Sequence, residues 1–203
     1  MKQLIISIGR ESGSGGHEIA EKLAQRFDLP MYDKNLLTEI AKDRNLDEEA
    51  LRKYEEAPRN HFFGRSVRGR NHAMLNNSMQ AGVFAIQTSW LQEKAEAGDS
   101  FIVVGRCAEA ALSHHPGLVS IFICGDPDAR INRLMKRHNF TFREASDYMV
   151  KQDKRRRAYH DENCTGSWGD APNYHLTISS TPMGIDRTVD FLETYIRGRM
   201  KDL

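Results

Sequence analysis

Five short apolar runs punctuate an otherwise polar chain, at residues 4–8, 29–32, 101–104, 118–124 and 174–179. Each is too short for a helix, and the first four lack the alternation of a half-exposed strand, whereas 174–179 alternates; all five are expected as strands of a parallel sheet. The stretches between them carry helical periodicity. Ile19, Ala20, Leu23, Ala24 and Phe27 recur on one face after the first run. Further helices are expected over 34–42, over 48–56 (capped by Asp47 and stopped before Pro58), over 79–97, over 128–138 and over 186–200. Another starts at Thr141, with Glu144 at capping-box spacing, and runs into the basic stretch 151–157. Strands that alternate with helices imply a doubly wound, three-layer α/β/α fold around a five-stranded parallel sheet.

Ligands of such sheets bind beyond the carboxyl ends of the strands. Gly9 to Gly16, Asp33, Gly105-Arg106 and Gly125-Asp126 all fall at those ends. The first is a Gly/Ser loop between a buried strand and a helix. In that layout, backbone N–H groups and the helix dipole converge on an anion, and side chains would keep the backbone from close approach. The loop departs from the standard phosphate-binding pattern. Five residues separate Gly9 from Gly15, and Gly16-His17 stands where Lys-Ser/Thr is expected. A phosphate cradle and a plain glycine-rich βα turn both satisfy this pattern.

Composition narrows the classes. Across 203 residues, 28% are charged, yet the net charge is only +1, which argues against a nucleic-acid-binding surface. No apolar run approaches the ~18 residues of a membrane span, and Met1-Lys2-Gln3 leads into a strand without a secretory leader pattern, so a cytoplasmic protein is expected. Cys107, Cys124 and Cys164 are odd in number and form no CxxC pair, and on spacing alone neither a disulfide nor a metal site is expected.

Positive charge is clustered late in the chain. Arg130 and Arg133, with Arg137 further on, share roughly one helical face, and Lys151, Lys154, Arg155, Arg156 and Arg157 form a second patch. Guanidinium groups match phosphate oxygens, although such residues also simply solvate a helix. The 58–72 stretch carries four arginines, two histidines and no acid, and is expected to be a mobile insertion. Trp90, Phe84 and Trp168 are expected to pack, Cys124 to be inert core, and His114-His115 to form a solvated turn.

Taken together, Gly9-Arg10-Glu11-Ser12-Gly13-Ser14-Gly15-Gly16, Tyr32-Asp33, Val103-Val104-Gly105-Arg106, Asp153-Lys154-Arg155-Arg156-Arg157-Ala158-Tyr159 and Trp168-Gly169-Asp170-Ala171-Pro172-Asn173-Tyr174 resemble the cytidylate kinase-like family, within the nucleoside monophosphate kinases of the P-loop class. The resemblance implies a core formed by 1–33, 100–140 and 172–203, an acceptor-binding insertion over about 34–99 and an arginine-rich lid over about 141–171. It implies ATP and Mg²⁺. Gly13, Ser14, Gly15, Gly16, His17, Arg130 and Arg133 would hold the donor, and Asp33, Lys34 and Arg106 the acceptor. Arg10, Asp153, Arg155 and Arg157 would serve catalysis. The expected reaction moves the γ-phosphoryl of ATP to a small acceptor, most simply a pyrimidine nucleoside monophosphate such as CMP, with no nucleic-acid or membrane partner. The oligomeric state is left open.

The chain also departs from that family's kinases. They carry Lys where it has Gly16, Ser/Thr or Gly where it has His17, and Gly-Arg-Asp where it has Gly105-Arg106-Cys107. Arg10 could supply the missing charge from the other side of the loop, and Glu11 could approach a metal. The alternative is a nucleotide-binding regulatory protein that keeps the fold and transfers little or nothing. The acceptor is not named by any residue.

Overall fold

The chain's structure is a computed structural model that describes residues 3–56 and 67–202. Strand β1, Ile5–Arg10, is buried at every position but its last and takes the centre of the sheet. It pairs in parallel with β3, Phe101–Val104, on one side and with β4, Leu118–Cys124, on the other, so that Ile8 is in register with both Val104 and Ile121. Strand β2, Met31–Tyr32, adds beside β3, and β5, Leu176–Ser179, adds beside β4, giving the order β2-β3-β1-β4-β5 with every pairing parallel. The crossover changes side at β1, which opens a crevice at its carboxyl end.

Strands that are apolar on both faces must be covered by apolar helix faces. Helix α1, Gly16–Phe27, and helix α8, Gly184–Asp202, lay Ile19, Leu23, Val189, Leu192 and Ile196 against Ile6, Ile8, Ile102 and Ile121. Arg26 ties the two helices through Asp190 and Glu193, each at 2.6 Å. Helix α6, Pro127–His138, starts at an Asp126 cap and packs on α7, Phe142–Asn163, through Ile131, Leu134, Ala145 and Met149. Helix α7 begins at the Thr141–Glu144 capping box that the sequence announces. A single turn, α5, Ala108–Ala111, follows β3.

Residues 34–93 form a second compact unit. It holds α2, Leu36–Arg44, α3, Glu48–Glu56, and most of α4, Val67–Glu96. Within it Leu36, Leu37, Ile40 and Trp90 are buried, and the indole N–H of Trp90 donates to Asp43 at 2.8 Å. Arg44 pairs with Glu93 at 2.7 Å.

The five strands stand where the apolar runs place them, with shorter ends. β2 starts at Met31 because Pro30 has no N–H for the ladder, although its carbonyl accepts from Ile102. β5 starts at Leu176, since Tyr174 belongs to the preceding turn and packs on Phe122. α4 begins at Val67 rather than Met79, because the apolar residues of 68–78, Ala73, Met74 and Leu75, are adjacent and form no stripe to announce a helix. The expectation of a mobile 58–72 insertion lies outside the described residues as far as 66. Among the described residues no helix is long and apolar enough to cross a membrane.

Candidate functional site

The loop after β1 is held by its carbonyl groups. Ser14 donates to the Glu11 carbonyl through its hydroxyl at 2.9 Å. Arg130 Nε donates to the Ser12 carbonyl at 2.8 Å, Arg133 to the Gly13 carbonyl, and the Ser180 hydroxyl to the Ser14 carbonyl at 2.5 Å. Four successive carbonyls are thereby turned outward and satisfied. Among the described residues, the N–H groups of Gly13 and Gly15 find no protein acceptor. Both glycines have left-handed backbone, φ 77° and 84°. A β-carbon on Gly13 would stand 2.6 Å from the Arg130 carbonyl oxygen, and one on Gly15 would meet Ile185. Gly15 is the residue before α1, so the loop delivers its N–H groups and the helix dipole to one point, a nest for an anion.

Positive charge surrounds that point. Arg10 ends β1 and pairs with Asp33, after β2, at 3.3 Å. Arg156, on α7, donates to the Arg10 carbonyl at 3.0 Å. Burial, and then Arg156 and Arg106, push the Arg10 guanidinium down to about 9 against the pull of Asp33. Burial likewise lowers Arg156, opposed by Asp153 and Asp33. Arg10 thus has two like-charged neighbours, Arg156 on α7 and Arg106 after β3, with Asp33 pulling the other way, an arrangement that a bound anion would relieve. Asp33 also takes His17 Nδ1 at 2.8 Å. Gly105 is required here: it has φ 76°, and a β-carbon on it would run into the Arg10 guanidinium.

Arg130, Arg133 and Asp153 act on the loop from its carbonyl side. Asp153 Oδ1 accepts the Ser12 N–H at 2.7 Å, and its Oδ2 pairs with Arg130, which also reaches Glu11 at 3.1 Å. Glu11 in turn accepts the Gly125 N–H at 3.0 Å. The family resemblance implies that Arg130 and Arg133 hold the donor, and the structure has their nitrogens on the loop's own oxygens. Arg157 lies over the Trp168 ring at 5.5 Å, beside a cavity of about 200 Å³ that Glu11, Cys124 and Asp170 also line. Trp168 is buried edge-on against Phe122 at 5.3 Å, the packing role expected of it. Arg155 is exposed on the opposite face of α7, since residues two apart diverge by ~200° on a helix. Lys34 is exposed at the start of the second unit.

Residues 5–182 match the model of the cytidylate kinase-like family. The chain belongs to that family. The crystal structure of an uncharacterized protein from Eubacterium ventriosum is similar at 34% identity, with TM-score 0.74, over 96% of this chain and 99% of that one. A shikimate kinase from Bacteroides thetaiotaomicron is similar at 14% identity and TM-score 0.54, over 96% and 98% of the two chains. A shikimate kinase from Acinetobacter baumannii in complex with shikimate is similar at 11% identity and TM-score 0.51, over 97% and 94%. These likenesses give the fold, that of the P-loop kinases. Among curated proteins no match is found.

The N–H groups of Gly13 and Gly15, left without a protein acceptor among the described residues, would suit the phosphate oxygens of a nucleotide. A loop-held Mg²⁺ fits less well. P-loop enzymes hold it with a hydroxyl, and here that position is His17, tied to Asp33 and, at 3.2 Å, to Glu21. The carboxylates of Glu11, Asp33 and Asp153 are each engaged by an arginine. Sequence reasoning missed Arg156 and Ser180. Asp153, Arg156 and His160 recur at i, i+3 and i+7, which marks one inward face of α7, and this spacing would have singled out Arg156.

Proposed function

We propose that this chain is an ATP-dependent kinase that transfers the γ-phosphoryl group to a small acceptor, most simply a pyrimidine nucleoside monophosphate such as CMP. The observation that carries the reading is the cluster of Arg10, Arg106 and Arg156 at the mouth of a loop whose carbonyls are already bound. Phosphoryl transfer needs no covalent help from the protein. It needs in-line positioning and neutralisation of charge on the transferring group. The loop N–H groups hold the donor phosphates, and Arg10 supplies the cation that a loop lysine provides elsewhere. Arg156, Arg106 and, after closure of the lid over about 141–171, Arg155 or Arg157 meet the charge that spreads over the equatorial oxygens. Asp33 and Lys34 orient the acceptor, and residues of about 34–99 form its binding insertion. Mg²⁺ would enter with the nucleotide, held by phosphate oxygens and water, and would neutralise phosphate charge.

One observation favours a second reading, a nucleotide-binding regulatory protein. Position 16 has no side chain, and Arg10 is held by Asp33 rather than free to follow a moving phosphoryl group. A screen of nucleoside monophosphates and small alcohols with ATP, reading ADP release, separates the two. Acceptor-dependent ADP release supports the kinase. Tight ATP binding with no acceptor accelerating ADP release supports the regulator.

A further inference from the structure

Cys107 and Cys164 stand far apart in the sequence, yet the fold brings them together at the foot of α7. Cys107 precedes α5 and is 2% exposed, and Cys164 caps the end of α7. Their sulfurs and a carboxylate oxygen of Glu109 all lie within 4.8 Å of one another. Glu109 is 7% exposed, and its two oxygens are held by His160 Nε2 at 3.1 Å and the Ser7 hydroxyl at 3.4 Å.

We propose that Cys107, Cys164 and Glu109 form a binding site for a borderline-soft divalent cation of the zinc type, with His160 and Ser7 orienting the carboxylate. A tetrahedral zinc, with sulfur at about 2.3 Å and oxygen at about 2.0 Å, spaces its ligand atoms roughly 3.3–3.8 Å apart, so a small contraction closes the set. Two thiolates and one carboxylate bring three negative charges to the ion's two, and the sulfur ligands favour zinc over magnesium or calcium, which choose all-oxygen shells. Carboxylate ligands are commonly oriented by a hydrogen-bonded partner, and the buried His160 supplies it. The backbone gives a second, independent reason. Gly105, Arg106 and Cys107 are three successive residues with positive φ, at 76°, 63° and 55°. Two of them carry side chains, and such strain persists only where something over-determines it. A cation bridging Cys107 to Cys164 would pin this loop to the end of α7 and fix Arg106, its neighbour. The inference is independent of the kinase reading.

The test is cobalt titration of the full chain, reduced, stripped with chelator and kept anaerobic. One equivalent of Co²⁺ is expected to give a thiolate-to-cobalt charge-transfer band that Zn²⁺ abolishes, with a rise in Tm. Cys107→Ser and Cys164→Ser should each lose the band, Glu109→Gln should weaken binding roughly 10-fold or more, and Cys124→Ser should bind as the parent does. Should a serine variant fail to fold, as judged by circular dichroism, the parent's band and Tm shift decide. Absence of the band in the parent overturns the site. So does a band that survives in both folded serine variants, or a Cys107–Cys164 disulfide formed in air by a chain that takes up no cobalt when reduced.

Discussion

A β-carbon on Gly16 would stand 2.5 Å from the β-carbon of Arg10. Position 16, where a P-loop carries its lysine, and the residue that ends β1 therefore compete for one volume, and in this chain Arg10 occupies it. Restoring the lysine alone is expected to harm the site. Gly16→Lys should weaken ATP binding roughly 10-fold or more, because overpacking of this kind costs about 1–3 kcal/mol. In the double variant with Arg10→Gly, which removes that β-carbon, the clash is gone, and calorimetric Kd values should show a coupling of about 1 kcal/mol or more between the two changes. Strict additivity would mean that the two residues do not compete.

Asp153 links α7 to the loop through the Ser12 N–H and Arg130. Asp153→Asn leaves an acceptor for Ser12 but removes the charge facing a buried guanidinium. Stability in urea should fall by about 1–3 kcal/mol, and kcat with the best acceptor by roughly 10-fold. Since Glu11 still faces Arg130, the chain should remain folded. Parent-like stability and turnover together would show the link to be idle.

The three consecutive arginines of α7 should separate in kinetics. Arg156 reaches the Arg10 carbonyl, Arg157 covers Trp168, and Arg155 is exposed. Arg156→Ala is expected to lower both donor affinity and kcat, because it also braces the loop. One of Arg155→Ala and Arg157→Ala should cut kcat roughly 10²-fold with little change in ATP affinity, the signature of contact made only in the transition state. If neither does so, the lid contributes nothing beyond Arg156 and the regulatory reading gains.

His175 gives the fold a pH limit. Its Nδ1 accepts the Ser120 N–H at 3.1 Å, which requires a neutral ring, and burial followed by Arg199 holds its pKa below the ordinary value. A lowered folded-state value means that the unfolded chain takes up the proton first. The stabilisation is therefore complete above about pH 6.5 and is lost as pH falls toward the folded-state value. Thermal melts between about pH 7.5 and pH 5 should show a decline that His175→Asn flattens. An identical decline in that variant would place the acid sensitivity elsewhere.

The sheet was legible because β1, β3 and β4 are buried on both faces and so read as apolar runs interrupted only by Ser7 and Ser120 before their carboxyl ends. The loop was legible because no other stretch sets so many glycines between a strand and a helix. The braces of the loop were not. Arg130, Arg133 and Ser180 look like any surface arginine or serine, and only the fold brings them to its carbonyl oxygens. Within the run 154–157 charge alone does not say which arginine faces inward, and only the spacing from Asp153 and His160 marks Arg156. Cys107 and Cys164 escaped because motif spacing reports neighbours in sequence, whereas these meet through the crossover from β3 to the end of α7.

The outward-turned carbonyls of the loop also set the order in which the protein can become competent. The loop leaves the ribosome well before its clamps: Arg130 lies 118 residues from Ser12, Asp153 141 residues, and Ser180 166 residues from Ser14. Contacts of such long range close late. The nascent chain thus carries the glycine loop as a slack segment until these clamps arrive, and the loop can present its N–H groups to an anion only once Ser180, just after β5, has docked.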